Sequence, residues 1–153
     1  MDLLEVKIIT PDRIVYDGTG ISSVTIPTAE GEITVLPGHI PLIAPIKTGE
    51  AHFVKPARPD DPTSGRSGGE GTVFVLAVSG GILEVRDGNT IVILAERGEL
   101  AHDIDVSRAE DAYKRAQDAM RMEQNVADVD YARIQGLMEK ELNRINIGKK
   151  WRK

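Results

Sequence analysis

The hydrophobic periodicity of the chain changes once, near Asp103, and this change restricts the folds open to it. Before this residue, apolar side chains alternate with polar ones, as Val24 and Ile26 do. After it, they recur at steps of three and four residues. A period of two is typical of a half-buried strand, and a period near 3.6 is typical of an amphipathic helix. We therefore predict a strand-built N-terminal domain over residues 1–102 and a helical C-terminal domain over residues 103–153.

The N-terminal domain is predicted to be an antiparallel β-sandwich of about ten short strands. The continuous apolar runs at residues 73–78 and 91–94 are typical of strands that are covered on both faces. Four dipeptides separate the strand patterns: Asp17-Gly18, Pro37-Gly38, Gly80-Gly81 and Asp87-Gly88. Because glycine adopts positive φ at little steric cost, each dipeptide is predicted to form a turn. Short strands at this spacing favour a sandwich or a barrel.

One segment, residues 56–71, interrupts the strand patterns. It contains three prolines and four glycines in sixteen residues, so we predict an exposed, mobile loop insertion. Its glycines do not form a Walker phosphate loop, because no Lys-Ser/Thr pair follows them and the next pattern is that of a strand. The paired carboxylates Asp60 and Asp61 lack a rigid support that would hold them at a catalytic separation.

The C-terminal domain is predicted to be a helical hairpin. Two apolar stripes run along it, separated by a break at residues 125–128. The first stripe contains Ala109, Ala112, Tyr113, Ala116, Ala119 and Met120, and the second contains Ile134, Leu137, Met138, Leu142 and Ile145. Asp105 and Asp130 are predicted N-caps, since a carboxylate accepts hydrogen bonds from the exposed amides of a first helical turn. Because alanine buries little apolar area, the hairpin is predicted to dock weakly.

Charge and cysteine content exclude several classes of protein. The net charge is −5, with 14 acidic and 8 basic residues before Asp103 and 10 acidic and 11 basic residues from Asp103 onward. A chain of this charge is a poor candidate for binding nucleic acid phosphates. The absence of cysteine excludes disulfides, thiolate nucleophiles and cysteine-ligated metals. Without an apolar run of about 18–20 residues or a basic-then-apolar leader, we expect a soluble cytoplasmic protein.

No catalytic residue and no metal site is predicted from the sequence. The three histidines, His39, His52 and His102, match no metal-ligand spacing. A Gly-x-Ser-x-Gly motif for acyl transfer is also missing from the sequence.

Four cations on the hairpin form a candidate anion-binding site. Arg108 and Arg115 are seven residues apart and share a face of the first helix, while Lys140 and Arg144 are four residues apart on the second. If the helices fold back on each other, the four cations could converge, and the fork of an arginine suits a phosphate group. The alternative is two solvated charged faces. From the residues alone, the chain is interpreted as an adaptor or regulatory subunit.

Four motifs follow one another along the chain. They are Glu-Gly-Glu-Ile-Thr-Val-Leu-Pro-Gly-His-Ile-Pro-Leu at residues 30–42, Val-Ser-Gly-Gly-Ile-Leu-Glu-Val at 78–85, Ile-Leu-Ala-Glu at 93–96 and Asp-Ile-Asp-Val-Ser-Arg-Ala at 103–109. In this order they resemble the epsilon subunit of F-type ATP synthase. The resemblance covers essentially the whole chain and implies a β-sandwich followed by two helices. The segment 56–71 departs from the family, because it is longer than the usual strand connection.

The resemblance implies a non-catalytic subunit of a larger machine. Family members bind the gamma subunit and the ring of c subunits, and they rotate with them in the central stalk that couples proton flow to ATP synthesis. Their C-terminal helices fold against the sandwich or extend along gamma into the alpha/beta catalytic head, where they restrain ATP hydrolysis. The implied location is peripheral, at the cytoplasmic face of the cell membrane and held there by these partners, with no nucleic acid involved.

The resemblance also implies two groups of site residues. The first, at the interface with gamma and the c-ring, consists of Glu32, Pro37, Gly38 and His39. The second, which binds ATP in some members, consists of Glu99, Asp105, Arg108, Ala109, Arg115, Lys140 and Arg144. Lys140 stands where ATP-binding members have arginine, so the charge is kept but the bidentate fork is lost. ATP is thus expected as a regulatory ligand and no cofactor is required.

Two alternative functions compete with this interpretation. The first is a free-standing ATP sensor that uses the same hairpin cluster. The second is an unrelated small hydrolase built on a β-sandwich, which the sequence disfavours because it shows no nucleophile–base pair.

Overall fold

The computed structural model describes residues 2–57, 71–122 and 128–151, without the side chains of residues 122 and 128–130. The chain divides into two compact units, Met1–Leu100 and Ala101–Lys153. A single 3-10 turn, Ala101–Asp103, precedes the first helix. The predicted loop at residues 56–71 lies, except at its ends, outside the described residues.

Eight strands form the described part of the N-terminal unit. They are β1 (Leu4–Ile9), β2 (Ile14–Ile21), β3 (Ser23–Thr28), β4 (Gly31–Val35), β5 (Leu42–Pro45), β6 (Gly49–Lys55), β7 (Thr72–Arg86) and β8 (Thr90–Leu100). The described residues form eight strands where about ten short strands are predicted, because β7 and β8 are single strands of 15 and 11 residues. The predicted turns at Asp17-Gly18 and Gly80-Gly81 are wrong, since both dipeptides lie inside strands. Turns do form at Pro37-Gly38 and Asp87-Gly88.

The pairing of β7 and β8 with their neighbours creates two layers. The first half of β7 pairs with β6, its second half pairs with β5, and both halves pair with β8. One layer therefore contains β4, β3, β6, the first half of β7 and the end of β8. The other contains β5, the second half of β7, the start of β8, β1 and β2. Among the described strands, all pairs are antiparallel except β1 with β8, which is parallel and departs from the predicted antiparallel arrangement.

Gly80 and Gly81 form the corner at which β7 passes from one layer to the other. Their φ angles are +73° and +124°, values that residues with a side chain rarely adopt. A Cβ atom at Gly81 would overlap the backbone oxygen of Leu94 on β8. The register between β7 and β8 nevertheless continues unchanged across the corner. The two glycines thus let one hairpin serve both layers without losing its ladder of hydrogen bonds.

The core of the N-terminal unit lies between these two layers. Leu4, Val6 and Ile8 alternate as buried residues along β1, as the period of two predicts. Phe53 from β6 is completely buried, and its ring stacks on that of Phe74 at 4.8 Å between centroids. Side chains from both layers belong to one continuous apolar cluster. Burial of aliphatic side chains, each contributing about 1.5–3 kcal/mol, therefore holds the layers together.

The C-terminal unit consists of two helices, α1 (Val106–Met122) and α2 (Asp128–Lys150). They run antiparallel, since the Nζ atom of Lys149 near the end of α2 lies 3.1 Å from Oε1 of Glu110 near the start of α1. The predicted helical pair is therefore confirmed. Within the described ranges, neither helix combines the length and apolar character needed to cross a membrane.

The first helix begins with the cap that its sequence predicts. Oδ1 of Asp105 accepts a hydrogen bond from the backbone N–H of Arg108 at 3.1 Å, and the backbone oxygen of Asp105 accepts one from Ala109. The side chain of Asp130, the other predicted N-cap, lies outside the described part of the structure, in which α2 begins at Asp128.

Only part of the predicted second stripe is buried. Ile134 and Ile145 are 7% and 8% exposed, whereas Leu137 and Leu142 are 41% and 44% exposed. The narrow, alanine-lined face of α1 covers too little of α2 to bury the whole stripe. The hairpin is therefore packed more lightly than the sandwich.

Two glycine substitutions test this description of the fold. We expect Gly81→Ala to lower the free energy of unfolding by about 2–3 kcal/mol, because the left-handed backbone and the oxygen of Leu94 both oppose a Cβ atom. Gly136→Ala should raise it by about 0.5–1 kcal/mol, since Gly136 is exposed within α2 and a Cβ atom there meets open space. Urea unfolding followed by circular dichroism measures both changes. If Gly81→Ala were as stable as the parent, the claim that the corner of β7 excludes a side chain at residue 81 would be wrong.

Candidate functional site

The turn between β4 and β5 is the first candidate site. Gly38 has a φ of +85°, and its N–H donates to the side-chain oxygen of Asn89 at 2.6 Å. The N–H of His39 donates to the backbone oxygen of Leu36 at 3.1 Å. Asn89 belongs to the turn between β7 and β8, so two turns from different parts of the sequence are joined at one end of the sandwich.

Exposed apolar side chains surround this pair of turns. Leu36, Ile40 and Ile43 are 55%, 75% and 72% exposed. Beside Ile43, on the next strand, Arg86 donates two hydrogen bonds to the carboxylate of Glu84, at 2.9 and 3.2 Å. We call these five residues the end surface. Large apolar groups beside a charged pair are typical of a protein-binding surface, since isolated monomers rarely expose such a cluster.

The charged pair of the end surface is well formed although it is exposed. The hydrogen bond from Arg86 lowers the pKa of the Glu84 carboxyl below its ordinary value, and the same bond raises the pKa of Arg86. Both groups therefore carry their charges at neutral pH. They give the end surface a fixed polar edge next to its apolar part.

The predicted interface residues fall into two places. Pro37, Gly38 and His39 form the turn itself, and Nδ1 of His39 donates to the backbone oxygen of Ile40 at 2.7 Å. Glu32 is exposed on β4, three residues before the end of that strand, which corresponds to about 10 Å along it. The turn and the end surface thus form one region, and Glu32 stands apart from it.

The second candidate site is built around Glu141 on α2, a residue that the sequence prediction missed. Glu141 is only 6% exposed. Its Oε2 lies 2.8 Å from Nη1 of Arg144, and its Oε1 lies 3.4 Å from Nζ of Lys140. The sequence does contain a signal for this site. Glu141 follows Ile134 by seven residues and so lies on the same face of the helix, and it has a cation before it and another after it in the sequence.

A cleft of about 440 Å³ separates the middle parts of α1 and α2. It is lined by Ala112, Arg115, Ala116 and Ala119 from α1 and by Arg133, Ile134, Leu137 and Glu141 from α2. The space exists because the three alanines do not fill it. Two guanidinium groups and one carboxylate border an otherwise apolar wall. Such a cleft suits an anion that carries an organic group.

One of the four predicted cations, Arg115, lines this cleft. Lys140 and Arg144 are not among its lining residues, but both pair with Glu141, which lines it. Arg108 lies outside the lining set, with its side chain 84% exposed and its Nε atom 4.0 Å from Oδ2 of Asp105.

The other predicted ATP-site residues have different positions. Asp105 caps α1, and Ala109 is completely buried in the hairpin. Glu99 lies on β8 in the N-terminal unit, where it pairs with Ala77. Among the residues that the structure describes, no group of three or more histidines and carboxylates is arranged to hold a metal ion.

Comparison with protein families gives two matches that together span the chain. Residues 3–101 match the family described as ATP synthase, Delta/Epsilon chain, beta-sandwich domain. Residues 102–149 match the family described as ATP synthase, Delta/Epsilon chain, long alpha-helix domain. The two matches meet close to the division between the compact units, so sequence families and structure divide the chain alike.

Two curated relatives are similar along nearly their whole length. The ATP synthase epsilon chain of Halalkalibacterium halodurans is 36% identical over 147 residues, which covers 96% of this chain and 98% of the relative. That of Pediococcus pentosaceus is 37% identical over 148 residues, covering 96% of each.

Two solved structures share the fold. A chain in the Euglena gracilis mitochondrial ATP synthase, in a structure of OSCP, F1 and the c-ring, matches with a TM-score of 0.64 and 21% identity, covering 94% of this chain and 79% of that one. A chain in the central stalk and c-ring of the Tetrahymena thermophila mitochondrial ATP synthase matches with a TM-score of 0.54 and 15% identity, covering 96% and 94%.

Proposed function

The chain belongs to the ATP synthase delta/epsilon chain family, and from this premise we propose that it works in the central rotor stalk of an F-type ATP synthase. The observation that carries the proposal is that both units match the family, each over nearly its full length. In this function the chain is a subunit rather than the catalytic component. It couples proton flow through the c-ring to ATP synthesis through gamma. It is held peripherally at the cytoplasmic face of the cell membrane by these partners.

The end surface is the part of the sandwich that we assign to contact with gamma and the c-ring. A partner can bury its three exposed apolar side chains, and the Glu84–Arg86 pair can form hydrogen bonds at the polar rim of the interface. The hydrogen bond between Gly38 and Asn89 fixes the two turns to each other before any partner binds. A surface organised in advance loses little conformational entropy on binding.

A charge placed in the end surface tests this assignment. We expect Ile40→Glu to weaken binding to an immobilised complex of gamma and the c-ring about tenfold or more, because the new carboxylate would be buried against an apolar partner surface. The matched control is Ile14→Glu, which changes another exposed isoleucine, 57% exposed on β2, outside the end surface. Both variants should unfold like the parent chain. Equal binding by the parent and Ile40→Glu, or equal losses in both variants, would contradict the assignment.

The C-terminal hairpin is proposed to restrain ATP hydrolysis by reaching the alpha/beta catalytic head. Two properties of the hairpin support this role: it is a compact unit of its own, and its helices are separated by an alanine-lined cleft. Little apolar area becomes exposed when such helices part, so two arrangements can differ by only a few kcal/mol. At 1.5 Å per residue, helices of 17 and 23 residues extend about 26 and 35 Å.

ATP is proposed as a regulatory ligand of the folded hairpin. The support is a cleft with an apolar wall that Arg115 lines, together with Lys140 and Arg144, which pair with the lining residue Glu141. Guanidinium and ammonium groups would hold the phosphates, and the alanine side of the cleft would face the base. Asp105 would act indirectly by fixing the start of α1, and Arg108 would have to turn from its present exposed position.

Isothermal titration calorimetry with ATP tests this ligand. Arg115→Ala should weaken binding about tenfold, since a charge-assisted hydrogen bond contributes about 1.5–3 kcal/mol. Arg121→Ala is the matched control, because Arg121 is an exposed arginine of the same helix that does not line the cleft. If Arg115→Ala bound ATP as tightly as the parent does, the cleft would not be the ATP-binding site.

A further inference from the structure

The two helices of the hairpin meet most closely at the end where α1 begins and α2 ends. Gly148 of α2 is buried there, and a Cβ atom built on it would lie 2.6 Å from Cγ2 of Val106 and 3.1 Å from Cγ2 of Ile104. Both distances are shorter than the ordinary separation of about 3.5–4.0 Å between carbon atoms. The side chains of Ile104 and Val106 therefore occupy the space that any side chain at residue 148 would need.

The surroundings of Gly148 are also well buried. Val106 and Ile145 are 6% and 8% exposed, and Ala109 is completely buried. Ile145 and Gly148 are three residues apart on α2, so they share a face of that helix. We call Ile104, Val106, Ala109, Ile145 and Gly148 the base of the hairpin. The base is tightly packed, whereas a cleft of about 440 Å³ separates the middle parts of the same helices.

The covalent connection between the helices lies at the opposite end of the hairpin. Because α1 ends at Met122 and α2 begins at Asp128, the chain joins the helices far from the base. When two rods joined at one end move apart, the distance between their free ends changes most. The contacts at the base must therefore break for the helices to part. These contacts are mainly apolar, since the ion pair between Lys149 and Glu110 is exposed and contributes little.

We propose that Gly148 forms the latch of this hairpin, an inference that rests on the regulatory role proposed above. Without a side chain, Gly148 lets the start of α1 approach the backbone of α2, and the apolar contacts made there hold the hairpin closed. Val106 does not turn away easily, because a β-branched residue has one strongly preferred rotamer in a helix. The fit at Gly148 thus determines how readily the hairpin opens to reach the catalytic head.

A thiol placed in the base measures this opening. Since the chain contains no cysteine, Ile145→Cys gives one buried thiol, whose rate of reaction with a soluble thiol reagent reports how often the base opens. In this background Gly148→Ala should react at least about fivefold faster than Gly136→Ala, because overpacking typically destabilises a contact by at least that factor. Gly136→Ala is the matched control, since it makes the same change in the same helix where a Cβ atom meets open space. If circular dichroism shows that Ile145→Cys loses helix content, Ala109→Cys carries the thiol instead.

A second background separates the contact with Val106 from a general loss of stability. In Val106→Ala, the methyl group that a Cβ atom at residue 148 would meet first is absent. Adding Gly148→Ala to Val106→Ala should then change the reaction rate less than about twofold. The latch is disproved if Gly148→Ala reacts no faster than Gly136→Ala, or if its effect is equally large in the Val106→Ala background.

Hydrolysis by a reconstituted complex of gamma and the alpha/beta head shows what the latch controls. In the otherwise unchanged chain, Gly148→Ala should lower the remaining rate of hydrolysis at least about twofold below that with the parent, because more hairpins are open. A damaged hairpin would have the opposite effect, since it would restrain hydrolysis less. Faster thiol reaction with unchanged or weaker restraint would contradict control of hydrolysis by the latch. Failure of the regulatory role itself looks different: residues 1–102 alone would then restrain hydrolysis as strongly as the full chain, whatever the thiol reaction rates.

Discussion

The fold of the N-terminal unit depends on one constraint, the pair of left-handed glycines at the corner of β7. Because Gly80 and Gly81 turn the strand without breaking its register with β8, a single hairpin contributes to both layers of the sandwich. The backbone oxygen of Leu94 approaches Gly81 so closely that no side chain fits there. All the other strands join one or other half of this hairpin, directly or through a neighbour.

The same hairpin positions the end surface. The second half of β7 ends at Arg86, and the turn that follows carries Asn89, whose side chain accepts the hydrogen bond from Gly38. Glu84 and Arg86 lie on the same half-strand and pair there. The apolar residues at positions 36, 40 and 43 therefore stand beside a charged pair because of how β7 is bent and paired. The binding surface that we assign to gamma and the c-ring is thus a consequence of the corner.

The sequence predicted the local features well and the distant ones poorly. The helices, the cap at Asp105 and the alternation along β1 follow from interactions between near neighbours in the chain. The dipeptide Gly80-Gly81 has the positive φ that its composition favours, but sheet pairing on both sides makes it a corner inside a strand rather than a hairpin turn. The parallel pairing of β1 with β8 joins the two ends of the sandwich sequence, and no local pattern reveals it.

The candidate site on the helices shows the same division. Charge spacing on each helix identified Arg115, which lines the cleft, and also Lys140 and Arg144, which pair with the lining residue Glu141. It could not place Arg108, whose position depends on how α1 is rotated against α2. Glu141 was missed because a charged residue is not expected to be buried on an apolar helix face unless cations that can pair with it are considered at the same time. The hairpin therefore has an alanine-lined cleft, a narrow apolar interface and a buried ion pair, all suited to a unit that changes partners.

The most direct test of the regulatory role is ATP hydrolysis by a reconstituted complex of gamma and the alpha/beta head, measured with the full chain and with residues 1–102 alone. Circular dichroism and co-purification with gamma first establish that the shortened chain is folded and assembled. We predict that the full chain lowers the rate of hydrolysis and that the shortened chain, although bound, leaves it unrestrained. Equal restraint by both chains would contradict the proposed role of the helices.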